Sequence, residues 1–341
     1  MKNGVLVYQT NNDINVFNIG DYIQSLAALQ FVGDKDVVYV NRERLDQYMG
    51  DDINLIMNGW FMHSPKNWPP SPKINPLFVA FHLNKLVKNE LLTNENSLAY
   101  FRKYQPIGCR DRYTVGLLQE NGIDAYFSGC LTLTLGNSFK SNSREDKIYF
   151  VDALPISGFT LISIIRSLFL LVFKNKCVRT IYNKKCNKKS FANYIRNLFF
   201  IEKYSRLFTL KVLMKAEYIE HEIEDNFSGD EEKFNYAKGL LAKYAKAKYV
   251  ITSRIHCALP CLSLETPVLY VYNKEQDETS YCRMDGLIQL FNTIEIDRKS
   301  IRTSLFSHKV DTTVCFENKP LYLKYKDELI NRCREFIQKN E

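Results

Sequence analysis

The stretch Tyr249–Tyr272, YVITSRIHCALPCLSLETPVLYVY, limits what this chain can fold into more than any other. Two apolar, β-branched runs, Tyr249–Thr252 and Pro267–Val271, flank a segment with room for only two or three helical turns. The expected order is strand, short helix, strand. A right-handed crossover makes the two strands parallel, so Ser253, Arg254 and His256 fall at the carboxyl end of the first, the edge at which open α/β sheets bind ligands. Unpaired N–H groups and the dipole of the helix start attract an anion there. Arg254 offers a fork matched to phosphate or carboxylate, and His256 is a candidate proton donor beside it. A second reading is equally open: Arg254 pairs with a carboxylate of a neighbouring helix, and His256 is a satisfied, half-buried side chain.

Two other stretches carry polar turns of the same kind. Asn18-Ile19-Gly20-Asp21 opens a helix with apolar residues at helical spacing (Ile23, Leu26, Ala27, Phe31), where Asn18 and Asp21 serve in the plainest reading as caps. Ile107-Gly108-Cys109 leads to Arg110, a second strand-end guanidinium, after which Asp111 or Thr114 starts a helix that Asn121-Gly122 closes. In this order, Asn18–Asp21, Cys109–Thr114, and Ser253–His256 with Glu265-Thr266-Pro267-Val268 resemble three elements of the polysaccharide pyruvyl transferase family: its N-x-G-D loop, its mid-chain R-D-x-x-[ST] element and its C-terminal signature. Where many members carry an Asp-Pro element after the mid-chain helix, this chain has Ser128-Gly129-Cys130-Leu131-Thr132.

The resemblance implies an α/β chain of two Rossmann-like domains facing a cleft, GT-B-like. It also implies transfer of an enolpyruvyl unit from phosphoenolpyruvate to two hydroxyls of a sugar, as a pyruvate ketal, in exopolysaccharide or capsular polysaccharide biosynthesis. Phosphoenolpyruvate is then the donor substrate, and no cofactor or metal is expected. Arg254 and Arg110 would hold the donor's phosphate and carboxylate from the two sides of the cleft. His256 would protonate the methylene carbon, with Asp21 the next candidate, while Ser253, Asn18 and Gly20 contact substrate. Lys274 is a candidate extra phosphate contact, against a competing reading as a solvated loop lysine. Two rival functions stay open, a GT-B glycosyltransferase using a nucleotide-sugar and a non-catalytic sugar-phosphate-binding protein.

At 341 residues the chain exceeds one ordinary core and suits two domains. The polar stretch Gly136–Asp146 is the expected hinge, giving 1–138 on the acceptor side, 146–318 on the donor side, and a helix in 319–341 packing back toward the first domain. Asn58–His63 reads as a strand-end loop, Pro65–Pro76 as an irregular loop able to cover the site, and Ser228 with Glu231 as a capping box for a helix to about Lys246. Nine cysteines lack metal or redox spacing, so Cys257 and Cys261, four apart on the short helix, are expected to be buried thiols. Met1–Gly4 runs straight into a strand-like Val5–Tyr8, so no leader is expected and the location is expected to be cytoplasmic.

The net charge of +8 is concentrated. Lys174–Lys211 holds eleven Lys or Arg and one acid, Glu202, a local +10 that leaves the rest of the chain at −2. Just before it, Phe159–Phe173 is apolar except for Thr160, Ser163, Arg166 and Ser167, which fall near one helical stripe. About fifteen residues are too few for a span, which needs roughly twenty. The pair reads either as an element at the inner membrane face, with 159–211 meeting anionic head groups or a lipid-pyrophosphate-linked acceptor, or as an inter-domain core helix followed by a solvated basic loop. Nucleic acid is disfavoured, because aromatics cluster, as in Leu198-Phe199-Phe200, instead of alternating with basic residues.

Overall fold

The computed structural model describes every residue except 9–14, 34–35, 155–159, 187, 274–281 and 341. The first part of the chain forms β1 (Lys2–Val7), β2 (Val16–Asn18), α1 (Ile19–Val32), β3 (Val38–Asn41), β4 (Ile53–Phe61), β5 (Ile74–Leu83), α2 (Lys88–Leu92), α3 (Glu95–Lys103), β6 (Ile107–Cys109), α4 (Arg112–Glu120), β7 (Ala125–Phe127) and α5 (Gly136–Phe139). Six of these strands make a parallel sheet ordered β3-β1-β4-β5-β6-β7. The second part forms β8 (Ile148–Val151), α6 (Leu161–Phe173), α7 (Asn175–Lys185), α8 (Phe191–Tyr204), α9 (Leu210–Lys215), β9 (Glu217–Ile219), β10 (Glu222–Glu224), α10 (Asp230–Lys246), β11 (Tyr249–Thr252), α11 (Ile255–Ser263), β12 (Val268–Asn273), β13 (Asn292–Ile296), β14 (Ile301–Arg302) and α12 (Tyr322–Asn340). Its sheet runs β14-β13-β12-β11-β8-β9, parallel except at the edge strand β14. This is a two-domain, Rossmann-like α/β fold of the GT-B-like kind.

The apolar runs that mark the central strands follow from burial on both faces, since side chains alternate along a strand. Phe150, Tyr249, Ile251, Leu269 and Val271 enter a core shared with α7, α8 and α9. Their neighbours Tyr149, Val151, Val250, Val268 and Tyr270 enter another, which continues through α10, α11 and α1 into the first sheet. The two sheets therefore share one helical layer. A short antiparallel pair ties them further: β2 lies against β10 with Asn18 opposite Glu222, and the Ile19 amide donates to the His221 carbonyl at 2.9 Å. Helix α12 returns to the first sheet, where Tyr325 meets Phe127 edge-on at 5.1 Å and the Arg332 guanidinium lies 4.3 Å from the Tyr126 ring centre.

Several local expectations change. Asn58–Phe61 belongs to β4 and is no loop; a register shift between Met57 and Gly59, with Gly59 at φ 121°, lets the strand continue while the Asn58 side chain donates to the Gln24 carbonyl at 2.9 Å. The segment Pro65–Pro76 is anchored, not a free cover, because Trp68 is buried, stacking on Phe101 at 5.2 Å, and Ile74 already starts β5. Helix α10 starts one turn residue later than a Ser228–Glu231 box requires: Gly229 is its N-cap, and Glu232, not Glu231, accepts from the Ser228 amide and hydroxyl. The basic segment is three helices rather than a loop, and Lys203 within it is buried, donating to the carbonyls of Asp297 and Arg298.

Candidate active site

Helix α11 begins where β11 ends, with Arg254 as its N-cap residue. The Arg254 amide donates to Thr252 Oγ1 at 3.0 Å, and the Ser253 hydroxyl donates to the Asp152 carbonyl just past β8. The Arg254 guanidinium is already engaged: Nε donates to Asp152 Oδ2 at 2.7 Å and Nη2 to Glu222 Oε1 at 2.8 Å. Burial works against this charge, but the two carboxylates outweigh it and hold the guanidinium pKa above its usual value. Arg254 is thus paired as the plainer sequence reading had it, with carboxylates from a strand end and from β10 rather than from a helix. Asp152 also accepts the His221 amide at 3.0 Å, so it organises the whole turn.

Arg110, at the end of β6, is in the opposite condition. It is fully buried, its amide held by the Phe81 carbonyl at 2.8 Å, and its Nε and Nη2 have no partner among the described residues. Nη1 has two neighbours among the described residues, Gln24 Oε1 and His256 Nε2, both at 3.5 Å. A guanidinium can only donate, so this contact leaves the lone pair on His256 Nε2 and the proton of the neutral ring on Nδ1. Arg283 is crowded into the same place: its Nε is likewise buried and unpartnered, and burial together with the Arg110 charge lowers its pKa. Buried donors on two neighbouring cations are costly unless an anion completes them.

The first polar turn closes on this point. Asn18 caps α1, its Oδ1 accepting from the Gly20 amide at 3.0 Å. Gly20 faces His256 so closely that a Cβ added there would lie 3.1 Å from both His256 Cβ and Nδ1, which is why the helix start carries no side chain at this position. Asp21 is not a cap; its Oδ1 accepts from Gln24 Nε2 at 3.0 Å. Burial raises the Asp21 pKa, and the nearby guanidiniums of Arg42, Arg283 and Arg110 reverse only part of that rise. His256 moves the other way: burial first, then Arg110 and Arg283, hold it well below the usual histidine range, so the ring is neutral.

Other residues gathered here carried no sequence signal. His221, fully buried before β10, pairs Nε2 with the Tyr244 hydroxyl at 2.8 Å and is pushed down to about 4 by burial. Behind Arg110, the N-cap Asp111 accepts from the Thr114 amide at 2.9 Å and from His82 at 2.6 Å, and burial takes His82 down to about 4. The Arg42 guanidinium lies over the Tyr8 and Trp60 rings, at 4.8 Å and 5.1 Å from their centres. Arg283 lies ten residues past the end of β12, too far for a strand-end rule to single it out; Lys274, named just past that strand, lies outside the described residues. Cys257 and Cys261 are buried free thiols beneath the turn.

A cavity of about 1280 Å³ opens beside this cluster, and Gly20, Asp21 and Arg110 lie behind its lining rather than in it. Asn18, Ser253, Arg254, His256 and Arg283 line it, together with His221 and Glu222. Part of the basic segment contributes as well, through Lys185, Lys188, Asn193 and Arg196.

A family model of polysaccharide pyruvyl transferases matches residues 18–275, about three quarters of the chain. The chain belongs to the polysaccharide pyruvyl transferase family. No curated protein matches it. As a pyruvyl transferase of polysaccharide biosynthesis it acts on a sugar or polysaccharide acceptor, and the matched region runs from the Asn18 cap through helices α6–α9 and the Arg254–His256 turn to just beyond β12. Among the described residues, no helix of this pyruvyl transferase is long and apolar enough to cross a membrane.

Proposed function

We propose that this transferase moves the enolpyruvyl unit of phosphoenolpyruvate onto two hydroxyls of a sugar, closing a pyruvate ketal and releasing phosphate. The observation that carries the reading is Arg110: a fully buried guanidinium with two unpartnered nitrogens, beside Arg283 and His256. Phosphoenolpyruvate brings a phosphate and a carboxylate on adjacent atoms of one small molecule, which suits two crowded guanidiniums better than a single anion does. Arg110 and Arg283 are the primary donor contacts. Arg254 is secondary, because its fork is taken by Asp152 and Glu222 and its role is to hold the α11 turn and the rim of the cavity in place. Asn18 and Ser253 shape the wall, Gly20 holds the start of α1 close against His256, and Lys274 is a further phosphate contact.

The chemistry follows from charge. Burial does most to keep His256 neutral, and Arg110 and Arg283 add to it; an incoming donor cancels the share owed to these cations, so the pKa rises when the donor binds. His256 then takes up a proton and delivers it to the methylene carbon, leaving an oxocarbenium-like centre that a sugar hydroxyl attacks. Asp21, whose carboxyl is already raised by burial, is the group to accept the hydroxyl proton. Departure of phosphate regenerates the cationic carbon, and the second hydroxyl closes the ring; its proton leaves with the phosphate. One hydroxyl proton balances the one placed on carbon. No cofactor enters this scheme. A sugar carried on lipid pyrophosphate fits the cationic lining of Lys185, Lys188 and Arg196, in capsule or exopolysaccharide assembly.

The test is to incubate the protein with phosphoenolpyruvate and a panel of lipid-linked glycans while following phosphate release, with nucleotide-sugars run in parallel. Phosphate release that depends on an acceptor is expected. Nucleotide release instead would make the protein a GT-B glycosyltransferase, and binding without turnover of any donor would make it a sugar-phosphate-binding protein.

A further inference from the structure

Helix α6 is turned inside out. Its polar residues Ser163 and Ser167 are buried with Leu170 against the protein, while Leu161, Val172 and Phe173 are 73%, 71% and 65% exposed, and Ile162, Ile165, Leu168 and Phe169 also face outward. Thr160 and Ser163 form a capping box, so the helix is well started rather than frayed. Water-soluble surfaces seldom carry an apolar patch of this continuity unless something covers it. Thirteen residues are too few to span a bilayer, where roughly twenty are needed, but suffice for a helix lying in the interface.

The surroundings say what covers it. Lys174, the C-cap of α6, and Lys176, Arg179 and Lys189 are exposed cations without an acidic partner among the described residues. A second copy docked on the same face would bring this local excess of positive charge against itself, which disfavours a symmetric dimer. An anionic lipid surface satisfies both features, acyl chains for the apolar face and head groups for the cations.

We infer that the α6–α8 segment docks the protein on an anionic membrane surface, with α6 laid into the interface. The same segment supplies Lys185, Lys188 and Arg196 to the wall of the cavity that Arg254 and His256 also line. Docking therefore brings the cavity to the bilayer, where an acceptor on a lipid carrier would be met. The membrane contact itself does not depend on the donor chemistry.

Co-sedimentation of the whole protein with phosphatidylglycerol vesicles tests this, with phosphatidylcholine vesicles as the neutral arm and light scattering to follow oligomeric state. Binding to phosphatidylglycerol that weakens as salt rises is expected, and little to phosphatidylcholine. F169E/F173E should abolish binding with an unchanged melting temperature, because both side chains are exposed. K174Q/K176Q/R179Q should weaken it by roughly fivefold per cation, on the order of a hundredfold together. Wild-type protein that ignores phosphatidylglycerol, or F169E/F173E protein that still binds, overturns the inference. So does a dimer in solution that F169E/F173E dissociates without any vesicle binding by the wild type.

Discussion

Replacing Arg110 with Met should move stability and donor affinity in opposite directions. The Met side chain nearly matches the arginine stem in length, and the position is fully buried. Among the described residues the guanidinium has two side-chain contacts, both at 3.5 Å, and two nitrogens with none. Its removal relieves a buried charge that no ion pair compensates, and the desolvation of one such ion costs on the order of several kcal/mol. The melting temperature of the free protein should therefore hold or rise. Donor binding should collapse, because Nε and Nη2 are the two groups left for the anion; at about 1.5–3 kcal/mol for each charge-assisted bond, losing both costs about 3–6 kcal/mol. That corresponds to roughly 10²–10⁴ in Kd. Calorimetric titration with phosphoenolpyruvate and a thermal melt without it give both numbers on one preparation, and no acceptor is needed. Arg110→Lys should recover little affinity, since a point charge cannot reproduce the fork. An Arg110→Met protein that melts well below wild type yet binds phosphoenolpyruvate normally would make Arg110 a structural strut and remove the basis for the proposed donor site.

Other expectations follow from single contacts. Gly20→Ala sets a methyl 3.1 Å from His256 and should lower kcat by roughly tenfold to a hundredfold with little change in melting temperature, whereas Gly116→Ala, with open space around it in α4, should keep full activity and add about 0.5–1 kcal/mol; equal activities would separate Gly20 from the chemistry. His256→Asn should cost about 10²–10⁴ in kcat while phosphoenolpyruvate still binds, and should erase the wild-type decline of kcat with rising pH, since the protonated ring is the acid; an unchanged pH profile would move that role to Asp21. Stability should fall on acidification. His82 and His221, at about 4, and His256, held well below the usual histidine range by burial, stay neutral in the native state while the unfolded chain protonates below about 6.5. Stability is thus full above that pH and is lost toward pH 4, by about 1.4 kcal/mol per unit per histidine. Asp21, with its raised pKa, offsets one of the three at most. Urea unfolding at pH 7 and pH 5 measures this, and equal midpoints would contradict the burial of these rings.

Much of the frame was legible before any coordinates, because it rests on near neighbours. The strand, short helix and strand of Tyr249–Tyr272, the Asn18 cap, the Asp111 cap with its Asn121-Gly122 close, and the placing of Arg110 and Arg254 at strand ends all follow from apolar period and cap chemistry within a few residues. The polar stripe of α6 was equally visible. Which way that helix faces was not, since only its packing on α7 and α8 turns Ser163 and Ser167 inward and leaves the apolar side to the outside. The same holds for the site. Whether a strand-end arginine is spent or free depends on carboxylates brought from elsewhere: Asp152 and Glu222 reach Arg254, and none completes Arg110. His221 and Arg283 lie in unpatterned segments, and Gly20 meets His256 where α1 packs on α11, across the two halves of the chain. Local rules name the residues that can carry charge at a sheet edge. Long-range packing assigns their partners, and with the partners their pKa values and their roles.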